Sequence, residues 1–315
     1  MARALAAILL ISLVGQSTAS AQQCRVIDRK VFEPENKPVM LVRGQNIPDA
    51  GKVVLFGTKL RVNTDGAPNS YHPQDPNGLE KAINKITHAI SVTREGVRQD
   101  AATTVRIFEQ WRDASWIVPT GYEIAWQTVL APRPIGGRDT PCIFSTGDHK
   151  GYFVSLTALK NGLSGDAAGE CGASNQLDER FIPALVLAGG DTPMSGWGVT
   201  KGDLVVVRNP SNGKVQTAVV GDVGPPNNLG EGSVALNLAL LGLSAQPKTY
   251  ADAEQLDTGA SPMTVAILPG SVAFKLARPY TKVNIQSRVN AWLQAQRYGT
   301  LDQFAALMQN CISNQ

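Results

Sequence analysis

The chain has 315 residues, 43% hydrophobic and 17% charged, with 29 Lys and Arg against 26 Asp and Glu and a formal net charge of +3. This composition excludes a disordered chain and a membrane-embedded one, and it can bury one sizeable core or two small ones. No basic cluster interleaved with aromatics accompanies the near-neutral balance, so no nucleic-acid partner is expected.

Residues 1–21 carry one early charge, Arg3, then an apolar run over 4–14, and close on Ala19-Ser20-Ala21, the small-x-small pattern of a signal-peptidase site. The run is short for a bilayer span and no stop-transfer charges follow it. Cleavage after Ala21 leaves 28 basic residues against 26 acidic ones and predicts a secreted or periplasmic protein with no membrane attachment. Export makes Cys24, Cys142, Cys171 and Cys311 candidates for two disulfides, with three pairings open. Cys142 with Cys171 is favoured because it brackets the block around Asp148. Cys24 with Cys311 would then tie the mature N-terminus to the last helix. The cysteines are too widely spaced for a zinc knuckle and His72, His88 and His149 are scattered, so neither a metal nor another cofactor is expected.

Along the mature chain, residues 39–42 and 52–62 alternate or run apolar between Gly, Pro and Asn and predict strands. Residues 79–90 predict a helix with Leu79, Ile83, Ile86 and Ile90 on one stripe, and 101–116 another with Val105, Phe108 and Trp111. Strands recur at 123–129, 152–156, 184–187, 204–207, 216–220 and 263–268. Helices over 287–297 and 300–312 finish the chain, anchored by Trp292, Phe304 and Leu307. Short strands among long loops indicate a mainly β fold with inserted and C-terminal helices. The expected division is a catalytic domain over 22–280, with 85–137 as an insertion, and helices over 281–315 packed on it.

The chemistry concentrates in AVVGDVGPPNNLGEGSVALNLAL, residues 218–240. Residues 218–221 read as a short buried strand, 224–228 suit neither ladder nor helix, and 234–241 is an apolar helical run. Asp222 should therefore leave a strand and Glu231 enter a helix, at the two ends of a Gly/Pro/Asn loop, with small residues around both. Two acids so placed can face one scissile bond, although a turn aspartate and a helix-dipole glutamate would give the same spacing. Upstream, residues 63–72 (NTDGAPNSYH) gather hydrogen-bonding side chains and an aromatic ring around a turn, a mixture that suits sugars. Asp65, Asp75, Asp148, Asp222 and Glu231 are the candidates for an acidic cleft.

The 218–240 stretch resembles the signature of the fungal-type chitosanases of glycoside hydrolase family 75, in which a GD…GE block carries the two essential acids. Four further blocks agree in order and character: KLRVNTDGAPNSYHPQDP (59–76), GDHKGYFVSLTAL (147–159), RFIPALVL (180–187) and KGDLVVV (201–207). The GD…GEGS block is also similar to the corresponding part of double-psi β-barrels, a fold shared by expansins, some cellulases and some lytic transglycosylases. The resemblance implies a double-psi β-barrel-like domain. Its implied activity is an endo-chitosanase that cleaves β-1,4-linked glucosamine-containing polysaccharide with inversion, and works as a monomer. It assigns catalysis to Asp222 and Glu231, with Glu231 as acid and Asp222 as base, and substrate binding to Asp65, Tyr71, Asp148 and Tyr152. A glutamate at a helix N-terminus would be held ionised, which weakens it as the acid unless burial offsets the effect. The alternatives are a peptidoglycan lytic transglycosylase, which needs one acid, and an expansin-like binder without turnover. No G-x-S-x-G elbow, dinucleotide motif or P-loop is present.

Overall fold

The computed structural model describes residues 23–314; the expected signal sequence, residues 1–21, lies outside them. The chain begins with β1 (Cys24–Phe32), β2 (Lys37–Gly44), β3 (Val53–Thr58) and β4 (Arg61–Asn63). A long excursion over 64–183 then carries α1 (Ile86–Ala89), β5 (Ser91–Arg94), β6 (Val97–Arg98), α2 (Ala101–Asp113), β7 (Glu123–Ala125), β8 (Pro132–Ile135) and β9 (Arg138–Pro141). The return comprises β10 (Ala184–Ala188), α3 (Pro193–Gly196), β11 (Leu204–Arg208), β12 (Val215–Gly224), β13 (Gly230–Ser233), α4 (Val234–Leu241), α5 (Tyr250–Glu254) and β14 (Met263–Leu268). Two helices, α6 (Lys282–Ala295) and α7 (Leu301–Ser313), end the chain.

Nine strands form one mixed sheet in the order β1-β2-β3-β14-β11-β12-β10-β13-β4. Only β10 with β12 and β13 with β4 pair parallel. Strands β3 and β4 stand six places apart in that order, yet only Lys59 and Leu60 join them. Three Cα steps of ~3.8 Å cannot bridge a flat sheet of that width, so the sheet curls until its β4 edge returns towards β3. A Cβ on Gly230 of β13 would lie 3.5 Å from the Thr58 side chain of β3, as that curl requires.

Period-2 alternation sorts the strand residues onto two cores. Val53, Leu55, Leu204, Val206, Ala266 and Leu268 face one, sealed by Ile285, Val289, Trp292, Phe304 and Met308 of α6 and α7. Val54, Phe56, Val205, Val207, Val265 and Ile267 face the other, inside the curl, with Leu60, Leu185 and Leu236. Covered on both faces, these strands are continuous apolar runs. The excursion packs around Ile86, Val92, Ile107, Phe108, Trp111 and Trp126, joined by Tyr71 and Phe153 from outside 85–137. Disulfides join Cys24 to Cys311 and Cys142 to Cys171, the favoured pairing. Among the described residues, no helix is long and apolar enough to cross a membrane.

Several expectations change. Residues 79–90 are not one helix; only Ile86–Ala89 is helical. The Asp75 carboxylate accepts the backbone N–H groups of Leu79, Glu80, Lys81 and Ala82, wrapping that segment around itself and leaving Leu79 exposed. Residues 152–156 make isolated bridges, Leu130 with Ser155 and Ile143 with Phe153, instead of a strand. The strand at 123–129 stops at Ala125. Strand β1, unanticipated, is long but half-exposed, so its apolar alternation is weak.

Candidate active site

Two strands on either side of β10 position the acid pair. Val186 of β10 is in register with Asp222 of β12 on one side and with Glu231 of β13 on the other. Residues in register across neighbouring strands project to the same face. Asp222, Val186 and Glu231 accordingly line one cavity of about 520 Å³. Asp222 reaches that position through a bulge, because Leu185 opposes Val220 while Val186 opposes Asp222, leaving Gly221 as the extra residue. A side chain at Gly221 has no room, since its Cβ would stand 2.6 Å from the Cβ of Ala184. Gly224 lies beside the second acid, with Glu231 Oε2 3.9 Å from where its Cβ would be, and a Cβ there would crowd Val186 at 3.1 Å.

Glu231 does not enter a helix. It lies within β13, and α4 begins after Ser233, whose hydroxyl accepts the N–H of Leu236. The expected dipole effect at a helix start is therefore replaced by burial, which raises the Glu231 carboxyl above its ordinary pKa against the opposing pull of Asn228 and Arg61. Asn228 Nδ2 donates to Glu231 Oε1 at 2.6 Å. Burial also raises Asp222, to about 6. Its Oδ1 accepts the N–H of Ala158 at 3.0 Å and of Val223 at 2.8 Å, and Lys160 and Lys201 stand near, all favouring its ionised form. No cation neighbours either acid in sequence; folding supplies these.

Asp65 and Tyr71 line the same cavity. Tyr71 donates its hydroxyl to Asp65 Oδ1 at 2.7 Å, while its ring is 1% exposed within the excursion core. That ring cannot cover a sugar face; only its hydroxyl is at the wall. Burial, with Asp222 and Glu231 adding to it, pushes Asp65 up to about 8. The cavity wall carries five carboxylates, Asp65, Asp222, Glu231, Glu254 and Asp257, against Arg61, Arg98 and His88. Asp222, Glu254 and Asp257 give this wall an acidic character although the whole protein is near neutral.

Asp148 and Tyr152 are not brought to this cavity. Asp148 is an exposed turn residue, and Tyr152 donates to the Lys81 carbonyl at 3.2 Å and packs edge-on against His72. Asp75 is also elsewhere. Burial alone would raise its carboxyl, but four backbone N–H groups hold it below the ordinary value, the signature of a structural knot.

Three residues not singled out as site candidates belong to the centre. Glu179, fully buried, accepts from Asn63 Nδ2 at 3.0 Å, and its other oxygen has no partner. Burial, with Asp222, Asp65 and Glu231 nearby, raises it well above the carboxylate range. Asn84 and His88 line the cavity from the segment expected to be one amphipathic helix. Nothing in Asp178-Glu179-Arg180 separates a buried acid from a solvated charge triplet. For Asn84, the short Asn-to-His spacing at i and i+4 was the available signal. Neither a protein-family model nor a curated protein matches the chain, so the resemblance to family 75 chitosanases rests on its motif blocks alone.

Proposed function

We propose that the protein is a secreted endo-chitosanase that hydrolyses β-1,4 linkages in glucosamine-containing polysaccharide with inversion of configuration. The observation that carries this reading is the common register of Asp222 and Glu231 with Val186 on the two strands flanking β10. Neighbouring strands lie ~4.8 Å apart, so backbones two strands apart are separated by ~9.6 Å. Side chains leaning into one cavity from that distance suit the ~6.5–9.5 Å gap of an inverting pair, which must admit a water. Glu231 protonates the glycosidic oxygen as the bond to the anomeric carbon breaks. Asp222, ionised, takes a proton from the water that attacks the opposite face. The carboxylate-rich wall suits a polymer of ammonium-bearing sugars. The curled sheet and the GD…GEG loop support a double-psi β-barrel-like fold, and the two disulfides support export.

Incubating the purified protein with chitosan, chitin and peptidoglycan tests the reading. New reducing ends from chitosan, with the α-anomer released first in early proton NMR spectra, are expected. An initial β-product would sink inversion, anhydro-sugar ends from peptidoglycan would replace the hydrolase by a lytic transglycosylase, and co-sedimentation without products would leave a binder.

A further inference from the structure

Asp65 stands at the end of a directional hydrogen-bond chain. Asn84 takes the backbone N–H of Lys85 on its Oδ1, which fixes its amide orientation, and the same oxygen meets His88 Nδ1 at 2.7 Å. Asn84 Nδ2 then donates to the Tyr71 hydroxyl at 2.9 Å, which donates onward to Asp65 Oδ1 at 2.7 Å. With Asn84 Oδ1 accepting, His88 carries its proton on Nδ1, so every donor points towards Asp65. All four side chains line the cavity that holds Asp222 and Glu231.

The chain engages one carboxyl oxygen, Oδ1. Oδ2 of Asp65 receives no N–H among the described residues; the Ser155 hydroxyl, which accepts the Gly66 N–H, interacts with the carboxyl and, like Tyr71, favours its ionised form against burial and the neighbouring acids. The elements facing it bring acids: Asp222 from β12, Glu231 from β13, and buried Glu179 from the segment before β10. Of the nearby cations, Lys160, whose Nζ donates to Gln176, and Lys201 act on Asp222, Arg61 acts on Glu231, and Arg98 lines the same cavity. Carboxyls gathered at one cavity cannot all ionise without matching cations, and the groups that act most on Asp65 are two acids and two hydroxyls, with no cation among them.

We propose that Asp65 serves this site as a neutral carboxylic acid, its Oδ2 hydroxyl donating a hydrogen bond to an oxygen of the bound substrate, with the Tyr71–Asn84–His88 chain fixing which oxygen faces the cavity. This deepens the hydrolase reading and rests on it for the identity of the substrate. It separates Asp65 from the reacting pair: Asp222 and Glu231 exchange protons during turnover, whereas Asp65 keeps its own.

Infrared difference spectra of wild type against Asp65→Asn, recorded from acid to alkaline pH, test the protonation. A protonated-carboxyl band is expected in the wild type at neutral pH, absent from Asp65→Asn and titrating near pH 8. Tyr71→Phe, which removes a bond that favours the ionised form, should move that titration upward. A wild-type Asp65 band already lost below neutral pH, or a downward move in Tyr71→Phe, would overturn the proposal. On chitosan, Asp65→Ala should lose about tenfold or more in kcat/KM, and Asp65→Asn, which still offers a donor and an acceptor, should recover a large part of that loss. An Asp65→Asn variant as inactive as Asp222→Asn, or an Asp65→Ala variant as active as wild type, would equally overturn it. If wild type leaves chitosan intact, the hydrolase reading falls, and the infrared band alone then decides the state of Asp65.

Discussion

The roles proposed for Asp222 and Glu231 depend on what surrounds each. Burial raises both carboxyls, Asp222 to about 6 against two backbone N–H groups and nearby lysines, and Glu231 against Asn228 and Arg61. Asp222→Asn and Glu231→Gln keep shape and remove acid–base capacity, so each should cut chitosan turnover by about a hundredfold or more with an unchanged circular dichroism spectrum. The wild-type rate should fall at both pH extremes, because the proposed pair needs one group ionised and the other protonated, with the acid limb near pH 6 as Asp222 protonates. A one-sided profile would count against the pair. Glu179 bears on stability. Its folded-state pKa is raised, so the native protein holds a proton that the unfolded chain releases above about 4.5. Its contribution to stability is therefore greatest below that value and is lost as pH rises towards the buried group's own pKa; Asp65, raised to about 8, contributes with the same sign. Glu179→Gln should flatten the decline in urea midpoints between acid and mildly alkaline buffer. An unchanged slope would mean that Glu179 is ionised in the native state.

At the scale of elements, the Gly221 bulge is what turns a plain ladder into a site, by setting Asp222 in register with Val186. Gly221→Ala forces a methyl against Ala184 and Leu177. It should cost about 1–3 kcal/mol in denaturant unfolding and lower turnover by misplacing Asp222. A variant with wild-type stability and rate would show that the strands absorb the methyl without moving the acid. The segment after Asp75 teaches the converse. Its apolar residues at 79, 83, 86 and 90 have helical spacing, yet one buried carboxylate gathers four N–H groups and outcompetes the helix. Leu79 turns outwards, Ile83 joins a small core with Val234 and Leu238, and Ile86 and Ile90 enter the excursion core. This break in the helix brings Asn84 and His88 to the cavity wall.

For the molecule as a whole, the two disulfides do different work. Cys24–Cys311 links the edge strand β1 to α7 across 287 residues of sequence, and Cys142–Cys171 closes a loop of only 29 within the excursion. Replacing Cys24 and Cys311 by Ser should cost about 2–4 kcal/mol and loosen α7 from the sheet, read as lost amide-exchange protection over both elements. Retained protection there would mean that the packing of Phe304 and Met308 suffices. The curl matters in the same way, because it lets the site draw on distant segments: Asp65 after β4, Glu179 before β10, Asp222 on β12 and Glu231 on β13.

The sequence by itself determined the mainly β character, the buried strands around residues 54, 186, 205, 219 and 265, the helix α4 and both C-terminal helices, and it favoured, among three open pairings, the one the disulfides take. These follow from local apolar periodicity, turn residues and cysteine positions relative to recognisable elements, and each signal is contained in a short window. It also marked Asp222 and Glu231, through a small-residue loop that leaves both acids unneutralised by their neighbours, and Asp65 through the hydrogen-bonding block around it and the family resemblance. Tertiary structure alone decided that Glu231 sits in a strand, that Tyr71 buries its ring and presents only its hydroxyl, and that Asp148 and Tyr152 lie away from the cavity. It alone brought Glu179, Asn84 and His88 to the acids. The reason is physical: strand register and sheet curl join residues more than a hundred positions apart, and the electrostatic state of a carboxyl depends on those neighbours and on burial, neither of which is written in the residues beside it.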